Sequence, residues 1–252
     1  MGYAQMTNLM MEMKLEGMLA SLKDILHQAT EHSWGHTELI DTILQAEADF
    51  RDKKKTARLL KNSKLKLKPA LEDIDLTAKR SLTKAQIKDL YSLGWLTHHR
   101  PILIVGPTGV GKTFLAQALG HHACRRNINT FFITFANLLE HQALTRAAGT
   151  YLKLRDKLIR PELLILDDFG LRKLNAMQAH DFCELLEERS EDKSTIITTQ
   201  LPLDHWSEVI DDPVIADAVI DRLIHSSIKL IMKGDSYRKT KAKILDDKLI
   251  KT

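Results

Sequence analysis

Hydrophobic and polar positions change their period along the chain. Residues 6–50 lack proline, and Met11, Leu15, Met18, Leu22 and Ile25 recur at steps of four, three, four and three. That spacing puts them on one helix face and predicts the core of a small helical bundle. A partner-binding groove lined by flexible methionines is the other reading. From residue 101 the pattern becomes short apolar runs. "PILIVG" (101–106), "TFFITF" (130–135), "ELLILDD" (162–168), "STIITTQ" (194–200) and "HSSIKLIMK" (225–233) read as strands. The first four are unbroken apolar or β-branched runs, as in parallel strands covered on both faces. Helical segments fall between them, at about 112–126, 136–160, 175–190 and 204–224. The alternation predicts an α/β fold, a doubly wound parallel five-stranded sheet behind a small all-helical N-terminal domain.

Charge sharpens this picture at one place. Residues 51–68, "RDKKKTARLLKNSKLKLK", hold nine Lys or Arg and one Asp, a net +8, while the whole chain carries +4. The remainder therefore sums to −4, so the excess basicity is local. Lysines that neutralise nucleic-acid phosphates release counterions, which makes Lys53, Lys54, Lys55, Arg58, Lys61, Lys64 and Lys66 candidate DNA contacts. A solvated charged face or linker is the alternative. Pro69 closes the segment, and a domain boundary is expected there, giving domains 1–68 and 69–252. Cys124 and Cys183 form no CxxC pair, so a disulfide framework or zinc knuckle is not supported. The neighbouring pairs His98-His99 and His121-His122 would diverge on a helix and make poor metal sites. No stretch reaches the ~18 apolar residues that span a bilayer. Glu12, Lys14 and Glu16 interrupt the Met-rich start, so the expectation is a cytoplasmic protein with no membrane partner.

The chemistry lies in "GPTGVGKT", Gly106, Pro107, Thr108, Gly109, Val110, Gly111, Lys112 and Thr113. It follows a predicted strand and opens a predicted helix, the context that gives a phosphate loop its meaning. Backbone amides turned inward and the positive end of the helix suit the phosphates of ATP. Lys112 is expected to bridge the β- and γ-phosphates, and Thr113 to offer its hydroxyl to Mg²⁺. "LLILDDFG" is expected to deliver Asp167, at a strand end, to the same Mg²⁺, through water. Asp168 beside it is positioned to orient or deprotonate an attacking water. Such an acid favours hydrolysis over phosphotransfer, because a small-molecule kinase must keep water out. Thr199 and Gln200 end the fourth strand, which can lie between the strands of the loop and of Asp167. They are candidate sensors of the γ-phosphate, or a turn after the strand.

Taken in order, "GPTGVGKT", "LLILDDFG", "STIITTQ" and "DAVIDRLIHSS" resemble an AAA+ P-loop ATPase of the DnaC/IstB branch, nearest to the IstB helper ATPases of insertion-sequence transposition. The resemblance extends over nearly the whole chain. It implies that Arg222 in "DAVIDRL" is an arginine finger that reaches the γ-phosphate of a neighbouring subunit. A homo-oligomer with ATP at subunit interfaces follows from that. Read from the residues alone, Arg222 could equally form an ion pair with Asp217 or Asp221. Two departures stand out: Asp167-Asp168 replaces the Asp-Glu of most AAA+ proteins, and residues 234–252 are too few for a full C-terminal lid. Arg238 in "GDSYRK" is a candidate substitute sensor, or part of a basic tail.

The resemblance implies a regulator of DNA transposition. Such a protein assembles on duplex DNA largely without regard to base sequence, remodels it, and recruits or stimulates a partner transposase, with hydrolysis resetting the assembly. A replicative helicase loader of the DnaC type is the alternative. It would prefer single strands, for which stacking aromatics are expected, and 51–68 contains none. A small-molecule kinase and a non-hydrolysing ATP-bound scaffold are further alternatives.

Overall fold

A computed structural model describes residues 2–67, 69 and 82–234. Two compact units divide at Arg58/Leu59, so residues 59–67 of the basic segment belong with the second. Arg238 and the lid question, within 235–252, lie outside the described residues.

The first unit contains α1 (Tyr3–Glu12), α2 (Glu16–Glu31) and most of α3 (His36–Asn62). Met18, Leu22 and Ile25 are buried, in agreement with the four-three spacing. Met11 is not: it is 55% exposed. The cause is Lys14, whose φ of 58° is left-handed and ends α1, so the stripe does not continue through one straight helix. Gly17 explains how closely α2 approaches α3. A Cβ there would lie 2.7 Å from the Ala46 carbonyl oxygen and 2.5 Å from Phe50 Cβ. Glu47, buried on α3, accepts the amides of Gly17 (2.7 Å) and Met18 (3.0 Å) through Oε2, capping α2 from a neighbouring helix. Burial works to raise its pKa, but hydrogen bonds from Arg51 and these amides outweigh it and hold the pKa below the ordinary value.

The second unit is built on a parallel sheet of β1 (Ile102–Val105), β2 (Thr130–Thr134), β3 (Leu163–Phe169), β4 (Ser194–Thr199) and β5 (Ile228–Ile231). The order is β2-β3-β4-β1-β5. Thus β4 does lie between the strand of the loop and the strand of Asp167. β1, β3 and β4 are buried throughout or nearly so, as unbroken apolar runs require. β5, an edge, buries Leu230 while Lys229 and Ile231 face out. The helices are α4 (Lys84–Ser92), α5 (Gly94–Thr97), α6 (Lys112–Arg125), α7 (Phe135–Ala147), α8 (Tyr151–Ile159), α9 (Ala176–Ser190) and α10 (Pro213–Ile220), with a 3-10 helix at Leu203–Val209. Two apolar layers cover the sheet. One is centred on Phe135, Phe169, Phe182 and Trp206, the other on Leu115, Leu119, Trp95 and Phe132. The single helix expected at 136–160 is two, α7 and α8. Gly149, at φ 67°, turns the chain after α7, and the Thr150 amide closes onto Thr145 O (2.8 Å) in a left-handed terminating turn.

Arg189 ties this unit together. It is 1% exposed and donates to five acceptors: Thr195 Oγ1 (3.0 Å) and the carbonyls of Leu158 (2.9 Å), Ile159 (3.1 Å), Pro161 (2.8 Å) and Ser194 (2.6 Å). The last carbonyls of α8 and the starts of β3 and β4 are satisfied by one guanidinium. Burial pulls its pKa down to about 9, opposed by the nearby Asp192. Arg189→Met should therefore lower the unfolding free energy by about 3–5 kcal/mol, because buried carbonyls left without donors cost ~1–3 kcal/mol each. Urea unfolding of the full chain reads this directly.

Candidate functional site

β1 ends in the core, and the chain turns through 106–111 into α6. Gly109 (φ 85°) and Gly111 (φ 100°) adopt left-handed backbone. Gly106 is required for another reason: a Cβ there would lie 2.3 Å from the Met232 carbonyl oxygen. Val110 is 1% exposed and fastens the loop to the core, while the Gly106 amide donates to Thr199 O (3.2 Å). Lys112 is buried. Its Nζ donates to the carbonyls of Gly106 (2.7 Å) and Pro107 (2.9 Å), the loop's own backbone. Burial lowers its pKa, with Asp168 and then Asp167 pulling the other way. A buried ammonium whose hydrogen bonds go to neutral carbonyls suits an anionic ligand that would take their place.

β3 breaks its register with β4 at this point. Leu166 pairs with Ile197 and Phe169 with Thr199, so Asp167 and Asp168 together oppose Thr198. This is a β-bulge, and Asp168 sits in it with φ 61°. Asp tolerates the left-handed region better than most side chains, at a cost of about 1–2 kcal/mol. Asp167, 3% exposed, accepts from Thr113 Oγ1 (3.0 Å) and Thr198 Oγ1 (2.6 Å), both on Oδ1. Thr198 Oγ1 in turn accepts from the Asp168 amide (2.9 Å). Burial raises the Asp167 pKa, the Thr198 hydroxyl opposes this, and the Asp168 charge adds to it. A buried carboxylate in contact with neutral hydroxyls, beside a second acid, fits a divalent cation: Thr113 and Asp167 are the residues that would hold Mg²⁺.

Thr108 and Gln200 join across the mouth of the loop, Oγ1 to Oε1 at 2.5 Å. Gln200 therefore touches the loop itself. Thr199 turns the other way, donating to Phe169 O (2.8 Å) and accepting from the Leu201 amide (3.0 Å). Of the β4 hydroxyls, the one that reaches the acid pair is Thr198, which the sequence reading does not single out. The signal was there: side chains alternate along a strand, so Thr198 and Gln200 share a face that Thr199 cannot.

The structure brings Gly106 to Thr113, Asp167, Asp168 and Gln200 to one end of the sheet. Arg222 is elsewhere. It lies in a π-helical turn, Asp221–His225, before β5, in a hollow with Arg100, Pro101, Lys193 and Thr195. These residues adjoin the N-terminal ends of β1 and β4, whereas the loop leaves the C-terminal end of β1. Arg222 binds neither Asp217 nor Asp221. It pairs with Glu187 (3.1 Å) and donates to Ala218 O (3.3 Å), with its side chain 29% exposed. Of the basic residues, Lys53, Lys54, Lys55 and Arg58 belong to the first unit and Lys61, Lys64 and Lys66 to the second, all exposed. Lys54 is engaged by Glu16 (2.9 Å) and the face of Phe50.

Asp168→Asn is the clean test of the second acid. Asn also tolerates the left-handed backbone, so the bulge should persist while the charge is lost. ATP affinity should stay within about twofold and turnover fall about 10²–10⁴-fold, the contribution of a positioned general base. Equal turnover would remove Asp168 from that role.

The arrangement matches known proteins. A profile of IstB-like ATP binding proteins matches residues 8–244. The chain is 37% identical over 227 residues to the insertion sequence ATP-binding protein y4pL of Sinorhizobium fredii, covering 90% of this chain and 93% of that one. It is 34% identical over 235 residues to an insertion sequence ATP-binding protein of Mycobacterium tuberculosis, covering 93% and 94%. Among solved structures, the DnaI crystal structure superposes with a TM-score of 0.56 at 19% identity, over 65% of this chain and 90% of that one. The DnaC helicase loader gives 0.56 at 20%, over 65% and 96%. At such identities these two show the AAA+ fold alone.

Proposed function

Since the chain belongs to the family of IstB-like ATP-binding proteins, an ATPase family associated with insertion sequences, we propose that it is an ATP-driven assembly factor for DNA transposition. It oligomerises on duplex DNA, remodels it, and recruits or stimulates a transposase, and hydrolysis resets the assembly. It acts in the cytoplasm. The helical segment and basic residues 1–68 serve DNA, partner and self contacts, residues 59–67 of them belonging to the same compact unit as the ATPase of 69–252.

One observation carries the oligomer: Arg222 and the phosphate loop adjoin opposite ends of the same sheet. An arginine at that end does not reach its own loop, so as a finger Arg222 would act on the loop of a second copy, and this placement supports the assembly reading. The loop amides and Lys112 bind the phosphates of ATP, and Lys112 exchanges its two carbonyl partners for them. Thr113 and Asp167 are the residues that would hold Mg²⁺, which when bound would supply positive charge against the phosphates. Asp168 aims the attacking water. Thr198 fixes both acids in register, and Gln200 with Thr108 links the loop to β4, whose end faces the γ-phosphate. Arg222 from the neighbouring copy offsets the charge that develops in transfer. ATP at the junction therefore couples nucleotide state to assembly. Many phosphate contacts across several copies would offset the cost of bending DNA, which is of order 1–6 kcal/mol for a short site.

Particle size on a long duplex tests this with ATP·Mg²⁺, with ADP and without nucleotide. Large particles that need ATP and duplex, and are lost in Lys112→Ala, are expected. Monomers indifferent to nucleotide that ignore duplex, but capture a replicative helicase, would replace this reading with a helicase loader.

A further inference from the structure

A second concentration of positive charge lies in the ATPase unit, away from the phosphate loop. A hollow of about 450 Å³ is lined by Lys64, Lys153, Lys157, Arg160, Asn129 and Phe131, among others. Lys153 and Lys157 on α8 and Arg160 at its end are spaced four and three apart, on one face, while Leu154 and Leu158 bury the other. Lys157 Nζ stands 4.8 Å above the ring of Phe131, which forms the floor. The one acid in the lining, Asp156, is bound to Arg160 (3.2 Å). Lys64 and Lys153 make no ion pair among the described residues. Phe131 is the second residue of β2 and Pro161 lies shortly before β3, so the hollow adjoins the end of the sheet opposite the phosphate loop. These cations are not part of the ATP site.

We infer that this hollow is a contact for the phosphodiester backbone of duplex DNA, formed mainly by Lys153, Lys157 and Arg160 of α8 and joined by Lys64. The inference rests on the duplex reading of the previous section and adds residues outside the basic segment. Four cations against one already paired acid create a positive potential that favours a polyanion. From Lys153 to Arg160 the row runs about 10 Å at ~1.5 Å per residue. Duplex DNA presents a charge every ~1.7 Å of axis, so the row is long enough for several phosphates rather than one small anion. The only aromatic ring in the lining, Phe131, is buried beneath a lysine. It leaves no face for base stacking, which single-strand sites use.

Lys153→Ala, Lys157→Ala, Arg160→Ala and the triple variant of the full chain test this. Anisotropy of a labelled duplex is followed across a salt series, with ATP·Mg²⁺ present. Each substitution should flatten the slope of log affinity against log salt by about 0.9 per lost phosphate contact. The triple variant should bind at least about tenfold more weakly near 0.1 M salt, with its thermal midpoint unchanged. Lys157 packs on Phe131, so Lys153→Ala, fully on the surface, keeps the test sound if Lys157→Ala perturbs the fold. Wild-type slope and affinity in Lys153→Ala and the triple variant would overturn this inference alone. A loss confined to single strands would overturn it too. Failure of the unaltered chain to bind any duplex would overturn both it and the proposed function.

Discussion

Arg222→Ala is expected to lower ATP turnover of the assembled protein by about 10³–10⁵-fold, the range over which an arginine finger acts. ATP binding by the isolated chain should be unaffected, because Arg222 adjoins the sheet end opposite the loop. The decisive experiment mixes two inactive proteins. Arg222→Ala retains an intact loop, and Lys112→Ala retains an intact finger. Where they meet, one complete site forms, and turnover should partly return. No recovery, in mixed particles of normal size, would show that Arg222 does not act between copies. The bond from Arg222 to Glu187 (3.1 Å) supplies the control. An ion pair this exposed stabilises the fold by only ~0–1 kcal/mol. Glu187→Gln should therefore leave turnover within about twofold. If it reproduced the loss, Arg222 would be acting through Glu187 of α9 in its own chain and not on phosphate.

Lys112→Ala carries the second large effect. Losing a charged donor to the phosphates should weaken ATP binding or turnover, taken together, by about 10²–10³-fold. The stability readout makes this prediction specific. Burial holds the Lys112 pKa below its ordinary value, against the pull of Asp168 and Asp167. A lysine whose folded pKa is depressed opposes folding while it is protonated, and that opposition fades only as pH rises through the folded pKa. Removing the ammonium should thus leave the nucleotide-free protein at least as stable at neutral pH. Added ATP·Mg²⁺, which should raise the unfolding midpoint of the unaltered chain by mass action, should no longer do so. A lower midpoint without nucleotide would mean that the bonds to Gly106 and Pro107 outweigh the cost of burying the charge.

The sequence by itself determined whatever depends on neighbours along the chain. Apolar runs bounded by helical segments determined five parallel strands and their class; burial on both faces leaves the unbroken pattern of the first four, while β5, at an edge, keeps polar positions. The glycines and Lys112 of the loop, with the acids that end β3, were legible because each motif is a local backbone shape with its chemistry attached. The order of "GPTGVGKT", "LLILDDFG", "STIITTQ" and "DAVIDRLIHSS" was specific enough to indicate the family. Tertiary structure alone decided what depends on contacts between distant segments. The bulge opposite Thr198 exists only once β3 lies beside β4, and it makes Thr198, not Thr199, the hydroxyl that holds Asp167. Lys14 and Gly149 break predicted helices with left-handed turns, and at Gly149 the break lets α7 and α8 each bury a face of its own. Arg189 reads as one more basic residue on an amphipathic helix, yet it is buried because carbonyls from three other segments need its protons. The cations of α8 draw no notice in a line of sequence. They become a site only when α8 lies across the start of β2, because an electrostatic field is summed in space and not along the chain.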